Sequence, residues 1–280
     1  MTTTILEDPS WMILNALPNI GPIALKRLIA HFGPDPARIF EASRMELMKV
    51  EGIGDNLSEV ITNWRSYFDL DNELRNLSRY RGRFVPCKAE EYPPLLKEIY
   101  DPPIGLYFLG DYNPGLKTIA IVGSRRSTLY GLKVAKQLAI ELARLGFCVV
   151  SGMARGADSA AHEGALSVGG KTVAVLGCGP DIVYPPENKD LYNRIRESGA
   201  VVSEFSFGKQ ADKTTFPRRN RIVSGMAQAI IVVETSSNGG SMITARMAGE
   251  QGRHIFAVPG RIDQASSRSE ERRVGKECRL

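Results

Sequence analysis

The chain has 280 residues, 43% of them hydrophobic and 24% charged, a composition that supports a sizeable core and excludes a disordered or low-complexity protein. With 36 Lys and Arg against 31 Asp and Glu the net charge is +5, which permits an anionic partner without demanding one. Cys87, Cys148, Cys178 and Cys278 show no CxxC spacing and no disulfide framework, no apolar run reaches the ~18 residues of a membrane helix, and the acidic start lacks a signal peptide's basic region. A cytoplasmic protein with reduced thiols and no membrane span is expected.

In chain order, residues 1–80 read as a small all-α module of short helices. Leu57, Val60, Ile61 and Trp64 fall at helical spacing, and Asp8 followed by Pro9 marks a helix start. Two fragments, "LPNIGPIALKRLIAHFG" and "VEGIGDNLSEVITNW", each put a Gly-containing turn before an amphipathic helix. The second resembles a helix-hairpin-helix, whose hairpin N–H groups can hold a phosphate. Asp55 and Glu59 follow Gly54 where a DNA-contacting hairpin would carry basic residues, so a purely structural module stands beside the DNA-contacting one. Residues 81–116 form a proline-rich connector, with one strand in "IGLYFLGD", expected to pack along the main domain.

From residue 117 apolar runs alternate with helical stretches. Strands are predicted at 118–124, 147–152, 172–177, 200–205, 229–235 and 254–260, and helices at 130–145, 157–168, 187–198, 220–227 and 241–251. Continuous Val/Ile/Ala runs mean strands buried on both faces. The fold class is therefore α/β: a Rossmann-like, doubly wound, mostly parallel sheet over 117–268, with the SAM-like or helix-hairpin-helix module in front. Residues 269–280, within "RSEERRVGKECRL", follow neither pattern and read as foreign sequence.

Ligands of such sheets bind beyond the carboxyl ends of the strands. There the chain places Gly123, Ser124, Arg125 and Arg126, then Ser151, Gly152 and Arg155, and later the "ETSSNGGS" loop. Glycines allow close approach of backbone N–H groups, and helices beginning beyond them direct partial positive charge at the same spot. Neither G-x-G-x-x-G nor G-x-x-x-x-G-K-[ST] occurs, so a dinucleotide fingerprint and a Walker ATPase are both unsupported. Between the fourth and fifth strands, "KTTFPRRNRIVSG" brings Lys213, Arg218, Arg219 and Arg221 to the crevice beside Phe216, with Lys209 just upstream. Cations with an aromatic face suit single-stranded nucleic acid. Catalytic arrangements are thin: His162 reads as a packing or capping residue, Glu204, Glu234 and Glu250 lack metal-site spacing, and no Ser-His-Asp or Cys-His set emerges.

Six motifs in order, "IAIVGSRRSTLYG", "VVSGMARGADSAAHEGAL", "TVAVLGCGPDIVYPPENKDLY", "SEF", "FPRRNRIVSGMA" and "VVETSSNGGSMITARMAGEQGRHIFAVPG", resemble the DNA-processing protein A family (DprA/Smf). The resemblance covers about residues 10–267. It implies a non-enzymatic, cofactor-free role: binding and protecting single-stranded DNA in natural transformation and loading RecA recombinase past single-strand-binding protein. It further implies DNA contacts from Gly123, Ser124, Arg125, Ser151, Gly152, Lys213, Phe216, Arg219, Asn220 and Arg221, a variable position at Arg218, and a homodimer. After "PGRIDQASS" the chain departs from the family pattern. Two other readings stand beside this one: a nucleoside monophosphate phosphoribohydrolase-like enzyme, suggested by the "NGGSMITA" loop, and a nucleotide sensor.

Overall fold

The structure, a computed structural model, describes residues 8–235 and 239–259. Six short helices come first: α1 (Ser10–Ala16), α2 (Pro22–Phe32), α3 (Ala37–Glu41), α4 (Arg44–Leu47), α5 (Asp55–Thr62) and α6 (Leu70–Tyr80). Then follow β1 (Gly82–Pro86), α7 (Pro94–Lys97), β2 (Gly105–Gly110), β3 (Thr118–Gly123), α8 (Leu129–Arg144), β4 (Cys148–Ser151), α9 (Ala157–Ser167) and β5 (Thr172–Val175). The chain continues through α10 (Lys189–Ser198), β6 (Ala200–Ser203), α11 (Thr215–Gly225), β7 (Ala229–Val233), α12 (Gly240–Glu250) and β8 (His254–Ala257).

Among the described residues eight strands form one sheet in the order β1-β2-β6-β5-β4-β3-β7-β8. Pairing is parallel from β6 to β8 and antiparallel for β1–β2 and β2–β6. Strands β4, β5 and β6 are buried as their Val/Ile/Ala runs predict, whereas β8, expected to be buried on both faces, is exposed because it lies at the end of the strand order among the described residues. The chain steps from β3 through β4 and β5 to β6, then returns to place β7 on β3's other side. That reversal puts the topological switch point between β3 and β7. Helices α8 and α9 close one face of the sheet over Ile121 and Val149. Helices α11 and α12 close the other over Val122, Val150 and Val232.

Two predicted features differ. The 81–116 connector was expected to contribute one strand and otherwise lie along the domain; instead it adds two strands to the sheet. Its alternate residues face different cores: Phe84, Ile104 and Tyr107 pack with Trp11, Leu14 and Ile61 of the helical module, while Val85, Leu106 and Phe108 join the core under α11. This is the period-two partition of a strand, masked in the sequence by apolar residues on both faces. The second difference is α11, which begins at Thr215, five residues before the predicted 220. Asp212 makes the early start possible by accepting hydrogen bonds from the N–H groups of Thr214 (2.7 Å) and Thr215 (3.0 Å). Pro217 then falls in the first turn, where its missing N–H costs nothing. The segment 269–280 and the end of the last predicted strand lie outside the described residues.

Candidate nucleic-acid interface

Five loops converge at the carboxyl ends of the strands. Two adjoining hollows open there, divided by the Arg219 side chain. The first is a narrow slot walled by Leu176, Gly177, Tyr184, Pro185 and Phe216, with Arg125 and Arg155 at its mouth. The second is a polar groove of about 350 Å³ at the switch point. It runs past Gly123, Ser124 and Arg125 to Asn220 and the start of α12 at Gly240 and Ser241.

Helical periodicity in α11 sorts the basic cluster into separate tasks. Arg219 is 5% exposed and reaches under the groove to the strand ends. One Nη donates to the Val175 carbonyl at 2.7 Å and to the Gly152 carbonyl, and Nε donates to Asn220 Oδ1 at 3.2 Å. Residue 152 must be glycine for this approach, since a Cβ there would run into the guanidinium. Burial lowers the Arg219 pKa, and the buried Asp158 carboxylate opposes that shift. Asp158 in turn has its pKa raised by burial, against the pull of Arg219 and of backbone N–H groups from Ala154, Gly152 and Gly123. Together the two charges tie the β3–α8, β4–α9 and β5–α10 ends into one floor.

Arg221, two positions on, turns away. Its Nη2 pairs with Glu204 Oε2 at 2.6 Å and Nη1 donates to the Asp101 carbonyl at 2.6 Å, both partners lying outside the two hollows. Arg218 shares Glu204 (Nε–Oε1 3.4 Å) and lies 4.8 Å from the Phe205 ring centroid. The arginines at 218 and 221 are thus one helical turn apart on the Glu204 side.

Ser151 also differs from its expected position. It is fully buried, and its Oγ donates to the Ile121 carbonyl at 2.6 Å, joining β4 to β3. Gly123, Ser124, Arg125, Gly152 and Asn220 do meet at the groove. Arg126 is exposed on the same loop, where its N–H donates to Ser124 Oγ at 3.0 Å, and Lys213 is exposed just before α11.

Phe216 faces the slot. The Arg125 guanidinium lies 5.0 Å from its ring centroid, and Tyr184 packs against it at 5.5 Å with the planes tilted by 45°. Tyr184 and Asp158 had not been singled out in the sequence. An aromatic beside Pro185-Pro186 after a strand, and an acid following Arg155-Gly156, were the available signals. Arg155 is not free: its Nε pairs with Glu187.

Acid–base candidates are accounted for by local structure. His162 is fully buried on α9; its Nδ1 lies 2.7 Å from Thr172 Oγ1, which itself donates to the Val149 carbonyl, so the ring donates there. Burial, with Arg219 nearby, lowers its pKa to about 3. Glu234 accepts from the Thr128 N–H (2.8 Å) and hydroxyl (2.5 Å) and so anchors the start of α8. Among the described residues no three His, Cys, Asp or Glu side chains gather as a metal site.

Comparison with known proteins places this architecture. A family described as DNA recombination-mediator protein A matches residues 83–280. The chain is 35% identical over 262 residues to protein Smf of Synechocystis, covering 92% of this chain and 66% of the relative. It thus spans just under two thirds of that protein's length. The crystal structure of DNA processing protein A from Streptococcus pneumoniae superposes with a TM-score of 0.81 at 28% identity, covering 98% of this chain and 94% of that one. A structure of DNA processing protein A from Helicobacter pylori, described for its single-stranded DNA binding mode, gives 0.64 at 30% identity over 71% of this chain and 90% of that one. The chain belongs to the DNA recombination-mediator protein A (DprA/Smf) family.

Proposed function

We propose that this chain binds single-stranded DNA across the slot and groove, without chemistry, as a recombination mediator. In this reading it shields incoming single strands during natural transformation and passes them to RecA recombinase past single-strand-binding protein. One observation carries the proposal: Arg125 and Phe216, 5.0 Å apart, join a phosphate-binding cation to a stacking ring where the slot meets the polar groove. Phosphates fit the groove, where the N-terminus of α12 offers donors, and Phe216 presents a stacking ring at the slot. The DNA-binding relative from Helicobacter pylori supports the same assignment.

A binding role also agrees with the state of Asp158, the one carboxylate lining the groove among the described residues. Asp158 is committed to backbone N–H groups and to Arg219, so it is badly placed to activate water. The strand β8 supports self-association. Among the described residues it is an edge strand, with Ile255 and Phe256 46% and 57% exposed, a surface that soluble proteins normally cover or charge.

The test is fluorescence anisotropy with oligo-dT over a salt series. Arg125→Ala should weaken binding about tenfold and flatten the log–log salt slope by about 0.7, one phosphate's share on a single strand. Phe216→Ala should cost ~1–3 kcal/mol with the slope unchanged. Undiminished binding by both variants overturns the reading. Release of free base from nucleoside monophosphates would favour the phosphoribohydrolase alternative.

A further inference from the structure

The molecule carries a second concentration of cations, at the pole opposite the groove. Arg75 and Arg79 share a face of α6, Arg81 follows its C-terminus, Arg83 lies in β1, and Arg194 and Arg196 stand on α10. Among the described residues none of these six forms an ion pair, whereas Arg27, Arg44, Arg144, Arg155, Arg218, Arg221 and Arg253 all do. The two segments are brought together by the sheet: Gly82 opposes Leu109 and Gly110 opposes Ala200, so the start of β1, the end of β2 and the start of β6 lie side by side. Arg196 Nη2 closes the junction by donating to the Tyr80 carbonyl at 3.0 Å.

Between them lies an open cleft of about 430 Å³, lined by Tyr80, Arg81, Gly110, Asn193, Arg196 and Glu197. Structural roles explain only part of this set. Arg79 and Arg196 sit in the last turns of α6 and α10, where a cation offsets the partial negative charge of a helix C-terminus. Arg83 donates to the Tyr112 carbonyl at 3.1 Å and lies over Phe108. Arg75, Arg81 and Arg194 remain exposed, with no side-chain partner among the described residues. Arg81 ends α6 in a left-handed backbone conformation (φ 51°), a common way for a helix to terminate.

In the cleft the guanidinium forks of Arg81 and Arg196, which form no ion pair among the described residues, stand beside an amide, a half-buried tyrosine ring and a single acid, Glu197. They thus repeat the chemistry of the groove, cations next to an aromatic. We propose that this cleft is a second phosphodiester site, which holds the backbone of a single strand whose other part lies in the groove. The proposal rests on the single-stranded DNA reading above. A globule of this length is roughly 50 Å across, so one strand bound at both poles must run around the sheet edge.

The experiment compares the full chain with an R81A variant, the position being exposed, in the cleft and outside the groove. The probes are an oligo-dT of about 6 nucleotides, which fills only the groove, and one of about 30, long enough at ~3.4 Å per residue to reach both poles. The longer probe should lose about fivefold in affinity and about 0.7 in salt slope, one phosphate's share, while the shorter is unchanged. Equal affinity and slope for the longer probe in both proteins overturns the second site, as does an equal loss for both probes. Capture of poly-glutamate by the full chain, lost in the variant while the longer probe is unaffected, reassigns the cleft to an acidic polypeptide and likewise overturns it. Failure of the full chain to bind even the short probe instead removes the groove reading on which the site rests.

Discussion

At the scale of the residue, the basic run 218–221 shows how little adjacency in sequence says about role. Arg219 and Arg221 are both nearly buried and both charged, but only Arg219 borders the groove. Arg221 faces Glu204, with side-chain exposures of 9% and 4% and a 2.6 Å contact. Removing Arg221 would leave the buried Glu204 with only the exposed Arg218 at 3.4 Å, a loss near the ~3–5 kcal/mol of a broken buried pair. Arg221→Ala should therefore lower stability to denaturant by about that amount, yet leave oligo-dT affinity within about twofold wherever the variant is folded. A large loss of affinity by folded protein would return Arg221 to the DNA surface. The pairing was not legible in the sequence because Glu204 lies a whole loop away, and only the helical start at Thr215 turns residues 218 and 221 towards it. The glycine at 152, by contrast, was legible as a close-approach position; what approaches in the structure is the Arg219 side chain.

At the scale of the element, the turn at Pro186–Asn188 after β5 has a definite place at the slot. Asn188 Nδ2 donates to the Met153 carbonyl (2.9 Å) and to Ser159 Oγ (2.8 Å), which fastens the turn to the β4–α9 loop. That anchoring holds Glu187 against Arg155, lowers the Glu187 pKa through the hydrogen bond, and neutralises one of the two cations at the slot's mouth. With Arg155 occupied, the mouth offers an apolar wall to a base and leaves phosphates to Arg125 and the groove. Glu187→Gln should release Arg155 as an extra phosphate contact. Binding of oligo-dT should then tighten about threefold at low salt, and the salt slope should steepen by about 0.7. An unchanged slope would show that Arg155 stays out of the footprint even when free. The strands themselves were legible, since buried parallel strands advertise themselves as Val/Ile runs. The start of α11 was not, because Pro217 reads as a boundary until Asp212 is seen to cap the turn before it.

At the scale of the whole molecule, the helical module and the proline-rich segment are bound into the sheet. Tyr107 is fully buried where the two meet: its ring packs on Phe84 (4.9 Å) and on Phe207 (5.6 Å), the latter in the loop leading to α11. From α6, Glu73 accepts the Phe207 N–H at 3.1 Å, and burial raises that carboxyl's pKa. The hairpin at Gly52 and Gly54, by contrast, is ringed by the pairs Arg27–Glu51 (3.4 Å) and Arg44–Asp55 (2.6 Å). Its local charges are already matched, and the module's clearest physical contribution is to cover β1 and β2 and brace the loop that carries Lys209 and Lys213. Cutting the chain at 117 would remove both antiparallel strands, bare the edge of β6 and strip Val202 and Ile222 of their neighbours Leu106 and Leu96. A 117–280 fragment should therefore be insoluble or bind hydrophobic dye without a cooperative melt, since an exposed apolar edge strand is a template for aggregation. A cooperative melt from that fragment, with groove binding intact, would show that the parallel strands stand alone and that the first 116 residues are an accessory rather than part of the fold.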